Sequence, residues 1–222
     1  MKRKVLLCLM LCVLSIMLFA CGKTTEQRVE ENMAERTRVY YFAECDDFYV
    51  TLSAGEREGE YLMNGKCEDR VKFALLSVRL AETSADDILS IDVKIDGEVE
   101  EKEMELNGLN GCYMLDLERE ISGREVISVA FGDTNLTLQN LSKDFAVDSE
   151  KAIEIACGEL GDRILEGRSG NNLNAECYLR VLDKKANNFD DFFWCFTVVN
   201  TQNENYSVVI STVDGSILAK SI

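Results

Sequence analysis

The chain has 222 residues, with 40 Asp and Glu against 24 Lys and Arg, a formal net charge of −16, and neither histidine nor proline. Without an imidazole, Ser-His-Asp and Cys-His hydrolytic centres, HExxH zinc sites and histidine-bound haem are excluded. The acidic balance, with no Lys/Arg cluster to offset it, excludes nucleic acid as a partner, and the length suffices for one large or two small domains.

The N-terminal run MKRKVLLCLMLCVLSIMLFAC places Lys2, Arg3 and Lys4 before an apolar stretch from Val5 to Leu18, then Ala20 directly before Cys21. The chain turns polar at Gly22, Lys23 and Thr24, so the stretch is short for a spanning helix and reads as an export signal covering residues 1–20. The Leu18-Phe19-Ala20-Cys21 tetrad resembles the lipobox of bacterial lipoproteins. That resemblance implies cleavage between Ala20 and Cys21, a diacylglycerol on the Cys21 thiol, and a mature protein held outside the cytoplasm at a membrane by its acyl chains. An ordinary secretory signal and an uncleaved anchor helix are the alternatives.

Residues 21–38 continue as GKTTEQRVEENMAERTR after the cysteine, with only Val29 and Met33 as sizeable apolar residues. Too few apolar positions recur to bury a helix face, so the expectation is a mostly disordered, lipid-anchored polar spacer.

Residues 39–142 read as short strands separated by turns. Val39 to Phe42 and Phe48 to Leu52 are aromatic and β-branched, and Gly55 to Gly59 reads as a turn. Val71 to Leu80 alternates with one irregularity, Ile91, Val93 and Ile95 alternate up to an Asp96-Gly97 hairpin signal, and an acidic arm, EVEEKEMELNG, follows. Tyr113, Leu115 and Leu117 come next, then Val126 to Phe131, a Gly132-Asp133 turn, and Leu136, Leu138 and Leu141. About seven strands at spacings near ten residues predict an antiparallel β-sandwich of immunoglobulin-like type.

At Asp148 the period changes. Asp148 or Ser149 caps a helix in which Ile153, Ala156, Leu160 and Ile164 recur down to Gly167. Strands resume over Ala175 to Leu182, Phe192 to Val199, Tyr206 to Ser211 and Ile217 to Ala219, after an Asp214-Gly215 turn. One helix and an antiparallel sheet predict a second, α+β domain over 146–222, giving a mostly β chain with α+β character.

The cysteines beyond Cys21 are Cys45, Cys67, Cys112, Cys157, Cys177 and Cys195, with no CxxC and no metal-like spacing. Cys177 and Cys195 lie equidistant from residue 186, so a hairpin turning there sets them opposite each other as a candidate disulfide, against the alternative of buried free thiols. Asp86-Asp87, Asp190-Asp191 and the Glu98 to Glu105 tract lack EF-hand spacing, so neither metal nor cofactor is expected.

The segment 146–222 resembles the PepSY domain, on the helix SEKAIEIACGEL (Ser149 to Leu160) with Ala152, Ile155 and Ala156, the strand DFFWCFTVV (Asp191 to Val199) with Trp194, and NYSVVISTVDGSILA (Asn205 to Ala219). The resemblance implies a small binding module of exported and membrane proteins, in some cases restraining proteases, with no catalytic residues. An exposed sheet edge taking an extended peptide, or an aromatic surface at Phe192, Phe193 and Trp194, would be the physical route to a partner. The expectation is a membrane-anchored, non-catalytic lipoprotein that binds another envelope protein, a protease among the candidates. The alternative is a lipoprotein that binds a cation or small ligand through its acidic surface.

Overall fold

A computed structural model of the protein describes residues 22–59, 67–82, 88–170 and 172–221. The class is mostly β with helices. In chain order the elements are α1 (Thr25–Glu31), β1 (Met33–Glu44), β2 (Phe48–Glu58), β3 (Arg70–Leu80), β4 (Ile88–Ile95), β5 (Glu98–Asn107), β6 (Cys112–Asp116), β7 (Ile127–Phe131), β8 (Thr134–Thr137) and β9 (Gln139–Asn140). There follow α2 (Ser149–Glu166), β10 (Arg168–Ser169), β11 (Asn172–Leu173), β12 (Ala175–Leu182), α3 (Lys184–Asn187), β13 (Phe193–Asn200), β14 (Asn205–Ser211) and β15 (Ile217–Ser221).

One ladder joins almost all the strands, in the order β15-β14-β13-β12-β1-β2-β3-β6-β5-β4-β7-β8. Past β8 the chain runs through Leu138 into β9, where Gln139 and Asn140 pair with Phe42 and Tyr41 of β1, so the ladder from β1 to β9 returns to its own start. The strands expected between residues 39 and 142 are there, and their alternation has its physical cause in this closure. Val50, Leu52 and Ala54 of β2, Ala74, Leu76 and Val78 of β3, and Leu89, Ile91, Val93 and Ile95 of β4 all point into one shared core. In β5 only Met104 of the acidic tract is buried; Glu101, Glu103 and Glu105 alternate to the outer face, while Glu98 and Glu100 are exposed opposite Ile95 and Val93.

The closing seam is fixed by a short loop. The Glu125 carboxylate accepts hydrogen bonds from the backbone N–H groups of Ser122 (2.9 Å), Gly123 (2.8 Å) and Arg124 (2.9 Å) and from Ser122 Oγ (2.8 Å). Tyr41 Oη of β1 donates to the Glu125 carbonyl, and Asn140 Nδ2 of β9 donates to the Gly123 carbonyl.

The C-terminal unit packs α2 against β12, β13 and β14. Asp148 caps the helix by accepting from Lys151 N, and Ala152, Ile153, Ala156, Cys157, Leu160 and Ile164 form its buried stripe. Facing them are Cys177, Leu179, Trp194, Phe196, Val198, Val208 and Ile210.

Two expectations are corrected. Gly55 to Gly59 is no turn: Gly55 to Glu58 continue β2. Residues 25–38 are not a disordered spacer. Thr24 and Gln27 form a reciprocal capping box that starts α1, while Val29 and Met33 are buried in the α2 core. Burying each contributes about 1.5–3 kcal/mol before ordering costs, which two well-placed side chains supply without a long apolar stripe. Met33 to Arg36 then lie parallel to Cys177 to Leu179, so a segment of the expected spacer is the fifth strand of the C-terminal sheet.

β1 therefore serves both units, and it changes allegiance at an irregularity between Thr37 and Val39. Opposite that bulge stands Gly55, where an added Cβ would sit 1.9 Å from the Arg36 carbonyl oxygen. No side chain fits there. The same turn of β1 sends the Arg36 side chain into a buried position, where it pairs with Glu30 of α1 (2.8 Å) and Glu150 of α2 (2.8 Å) and donates to Ser149 Oγ. Arg38 reaches the same Glu150 at 2.9 Å.

Gly55→Ala should destabilise the protein by about 3 kcal/mol, as overpacking against backbone does. Gly158→Ala, on the exposed side of α2 with open space around it, should stabilise it by about 0.5–1 kcal/mol in urea unfolding. The four hydrogen bonds at Glu125 overcome burial and lower its carboxyl to about 2. Because the folded value lies below the unfolded one, the stability it contributes is full above about pH 4.3 and is lost as pH falls towards 2. Glu125→Gln should therefore cost about 1–2 kcal/mol at pH 7 and almost nothing at pH 2.

Candidate functional site

Of the residues singled out from sequence, Ala20 and Cys21 lie outside the described residues. Phe192, Phe193 and Trp194 are described, and they do not form a partner surface. Trp194 is 1% exposed, donates from Nε1 to the Val147 carbonyl at 2.7 Å, and meets Phe145 edge-on. Phe192 is buried edge-on to Tyr40 (5.7 Å) and Phe42 (5.1 Å), knitting the two units together. Phe193 alternates to the other face, half-buried beside Phe189.

The candidate disulfide also fails. Cys195 opposes Arg180 and Cys177 opposes Val198, because the β12–β13 connection includes α3 and centres beyond residue 186. The resulting three-residue offset puts the two thiols on opposite faces: Cys177 lies in the α2 core, and Cys195 is half-buried on the other side. Both are free. Burial pushes the Cys67 and Cys157 thiols up to about 12 and raises Cys177 and Cys195, so these four remain protonated and poorly nucleophilic at neutral pH. No group of three or more metal-ligating side chains converges among the described residues.

Two other features stand out. The first is β15, the terminal strand of the ladder, which among the described residues pairs only with β14 and is exposed along its whole length, including Ile217 and Leu218. Lys220 reaches back from it to Glu159 of α2.

The second is a cleft of about 410 Å³ where β1 leaves β12 and turns into the closed part of the ladder. Its floor is the outer face of β1, β2, β3 and β6; its opposite wall is the end of β12 with α3. Strand alternation puts Thr51, Ser53 and Ser77 on that outer face, because their neighbours Leu52, Ala54, Leu76 and Val78 fill the core. Arg79 extends from β3, with Nε donating to Cys112 Sγ at 3.3 Å and Nη2 donating to the Asn110 carbonyl. Asp183 caps α3 from the far wall, accepting from Lys185 N (2.6 Å) and Ala186 N (3.4 Å).

Burial raises the Asp183 carboxyl above its usual range, against the backbone N–H groups and the nearby Arg79 and Lys184 charges that favour its ionised form. Burial likewise raises Tyr49 to about 12 and raises Tyr40 well above its usual value, with the Asp183 charge reinforcing both. The two phenols therefore stay neutral. The buried Tyr49 Oη has no hydrogen-bond partner among the described residues. Chemically the cleft offers a fixed cation, a carboxylate and hydroxyls, groups that hold polar ligands.

No family model, curated protein or solved structure matches the chain.

The Asp183 environment makes a prediction with a definite sign. A raised folded value means that the ionised form costs stability, fully so above that value and not at all below the unfolded value near 3.9. Asparagine caps a helix as well as aspartate does. Asp183→Asn should thus be at least as stable as the natural chain at pH 7 and show no difference near pH 3, measured by thermal unfolding across that range.

Proposed function

We propose that this protein is an extracytoplasmic bacterial lipoprotein, anchored by diacylglycerol on Cys21, that binds another envelope protein without catalysis. The observation that carries the binding role is the bare β15 edge. Its main chain offers hydrogen-bonding groups to an added strand, and Ile217 and Leu218 flank that edge with apolar surface. With Phe192 and Trp194 buried and Phe193 half-buried on the other face, strand addition is the route favoured of the two considered from sequence.

The helix and antiparallel strands from Ser149 to Ser221 support reading the C-terminal unit as PepSY-like, with β1 as an added strand. An envelope protease or its precursor fits as partner by that resemblance alone. The immunoglobulin-like reading of residues 39–142 rests on strand number and spacing, and the returning ladder favours a barrel-like description of the same strands. The export signal and Cys21 support the location and the anchor.

Full-length protein produced in its native host should incorporate labelled palmitate, and Cys21→Ser should not. Crosslinking in detergent should then capture one identified envelope protein, with capture reduced at least tenfold by Leu218→Asp, a change at a side chain 52% exposed. Equal capture by the variant removes β15 from the reading, and hydrolysis of a peptide, glycan or ester by the purified protein overturns the non-catalytic role.

A further inference from the structure

The cleft between β12 and the outer face of β1, β2 and β3 lies apart from the β15 edge, and its chemistry points to a different kind of ligand. Two arginines line it, and their situations differ. Arg180 is neutralised by a bidentate pair with Glu35, at 2.7 and 2.8 Å. Arg79 makes no ion pair among the described residues; its partners there are Cys112 Sγ, the Asn110 carbonyl and the Tyr49 ring, which its Cζ overlies at 6.0 Å from the centroid. A guanidinium with no carboxylate partner, set in a half-buried concave surface, is a carboxylate-binding group.

On the facing wall Asp183 carries the opposite charge. Arg79 is close enough to favour the ionised Asp183, yet no ion pair joins them. The cleft thus holds a cation and an anion across open space, above a floor that includes the side chains of Thr51 and Ser77.

We infer that this cleft binds a small zwitterion, an amino acid or a short peptide with free termini, whose carboxylate meets Arg79 and whose ammonium meets Asp183. The volume of about 410 Å³ lies within the range of small-ligand pockets. The overall charge of −16 agrees with this choice, since it repels anions but not a molecule without net charge. The inference is independent of the β15 reading, and either stands if the other fails.

The test uses full-length protein in detergent and three probes: a random-sequence tripeptide pool with free termini, the same pool N-acetylated, and the same pool C-amidated. The free pool should raise Tm by about 2–4 °C once its binding members reach about ten times their Kd, and saturation-transfer NMR should show direct contact. Each blocked pool should bind at least tenfold more weakly. Arg79→Gln should lose binding of the free and N-acetylated pools alike. Asp183→Asn, which keeps the α3 cap, should lose the preference for a free amine. The proposal is overturned by absence of binding of the free pool, by equal binding of the blocked pools, or by unchanged binding in Arg79→Gln that has an unaltered circular dichroism spectrum.

Discussion

The whole architecture depends on β1 being able to belong to two sheets. Its first residues lie parallel to β12 and its later ones run between β2 and β9, so one strand links the closed ladder to the helix-covered sheet. That change of partner requires a bulge, and the bulge requires backbone to approach backbone at Gly55 more closely than any Cβ permits. The parallel pairing needs a connection that crosses from one end of the sheet to the other. Here that connection is everything from β2 to β11, so the N-terminal unit is in effect an insertion between two adjacent strands of the C-terminal sheet.

Arg36 shows what holds the junction. A buried guanidinium is costly unless carboxylates meet it, and Glu30, Glu150 and Ser149 come from the two helices that cover the C-terminal sheet. The value of such a network lies more in geometry than in net stability: only one docking of α1 and α2 brings the acceptors to Arg36. On the other side of β1, Phe192 against Tyr40 and Phe42 provides the apolar counterpart, and Lys184 lies over the Phe42 ring at 5.2 Å. Charge and aromatic packing thus clamp the same strand from opposite sides.

Local pattern disclosed much of this fold, and its limits are physical. Period-two alternation marked β3, β4 and β7, and the three- and four-residue recurrence after Asp148 marked α2, because each of those elements buries one face in a single core. The pattern was silent for α1 and the start of β1. Their order derives from Val29, Met33 and a buried Arg36, contacts with residues more than a hundred positions away that no local window registers. Gly55 looked like a turn for the same reason: a glycine that admits a neighbouring strand has the same local signature as one that turns the chain. The Cys177–Cys195 pairing failed because symmetry about residue 186 presumes a tight hairpin, whereas α3 shifts the register by an odd number of residues and so flips the face. The cleft was invisible because Arg79, Tyr49 and Asp183 come from three separate elements with no spacing motif. What betrays it is the presence of opposite charges that share a cavity without pairing.

The ordering of α1 also changes what anchoring at Cys21 implies. A disordered spacer to residue 38 would let the body sample tens of ångströms above a membrane. Because Thr24 caps α1 and Arg28 Nη1 donates to the Lys23 carbonyl, only the link from Cys21 to Lys23 is left as tether. Extended, it spans roughly 7 Å at about 3.3–3.6 Å per residue. Under the proposed lipidation of Cys21, the C-terminal sheet, to which α1 is fixed, would be the part of the molecule held near the lipid surface. The acidic closed ladder would be directed outwards, since anionic headgroups repel it within a Debye length of about 8 Å. On that geometry a partner that adds to β15 is itself a membrane-proximal protein, and a freely diffusing one meets the outer ladder first.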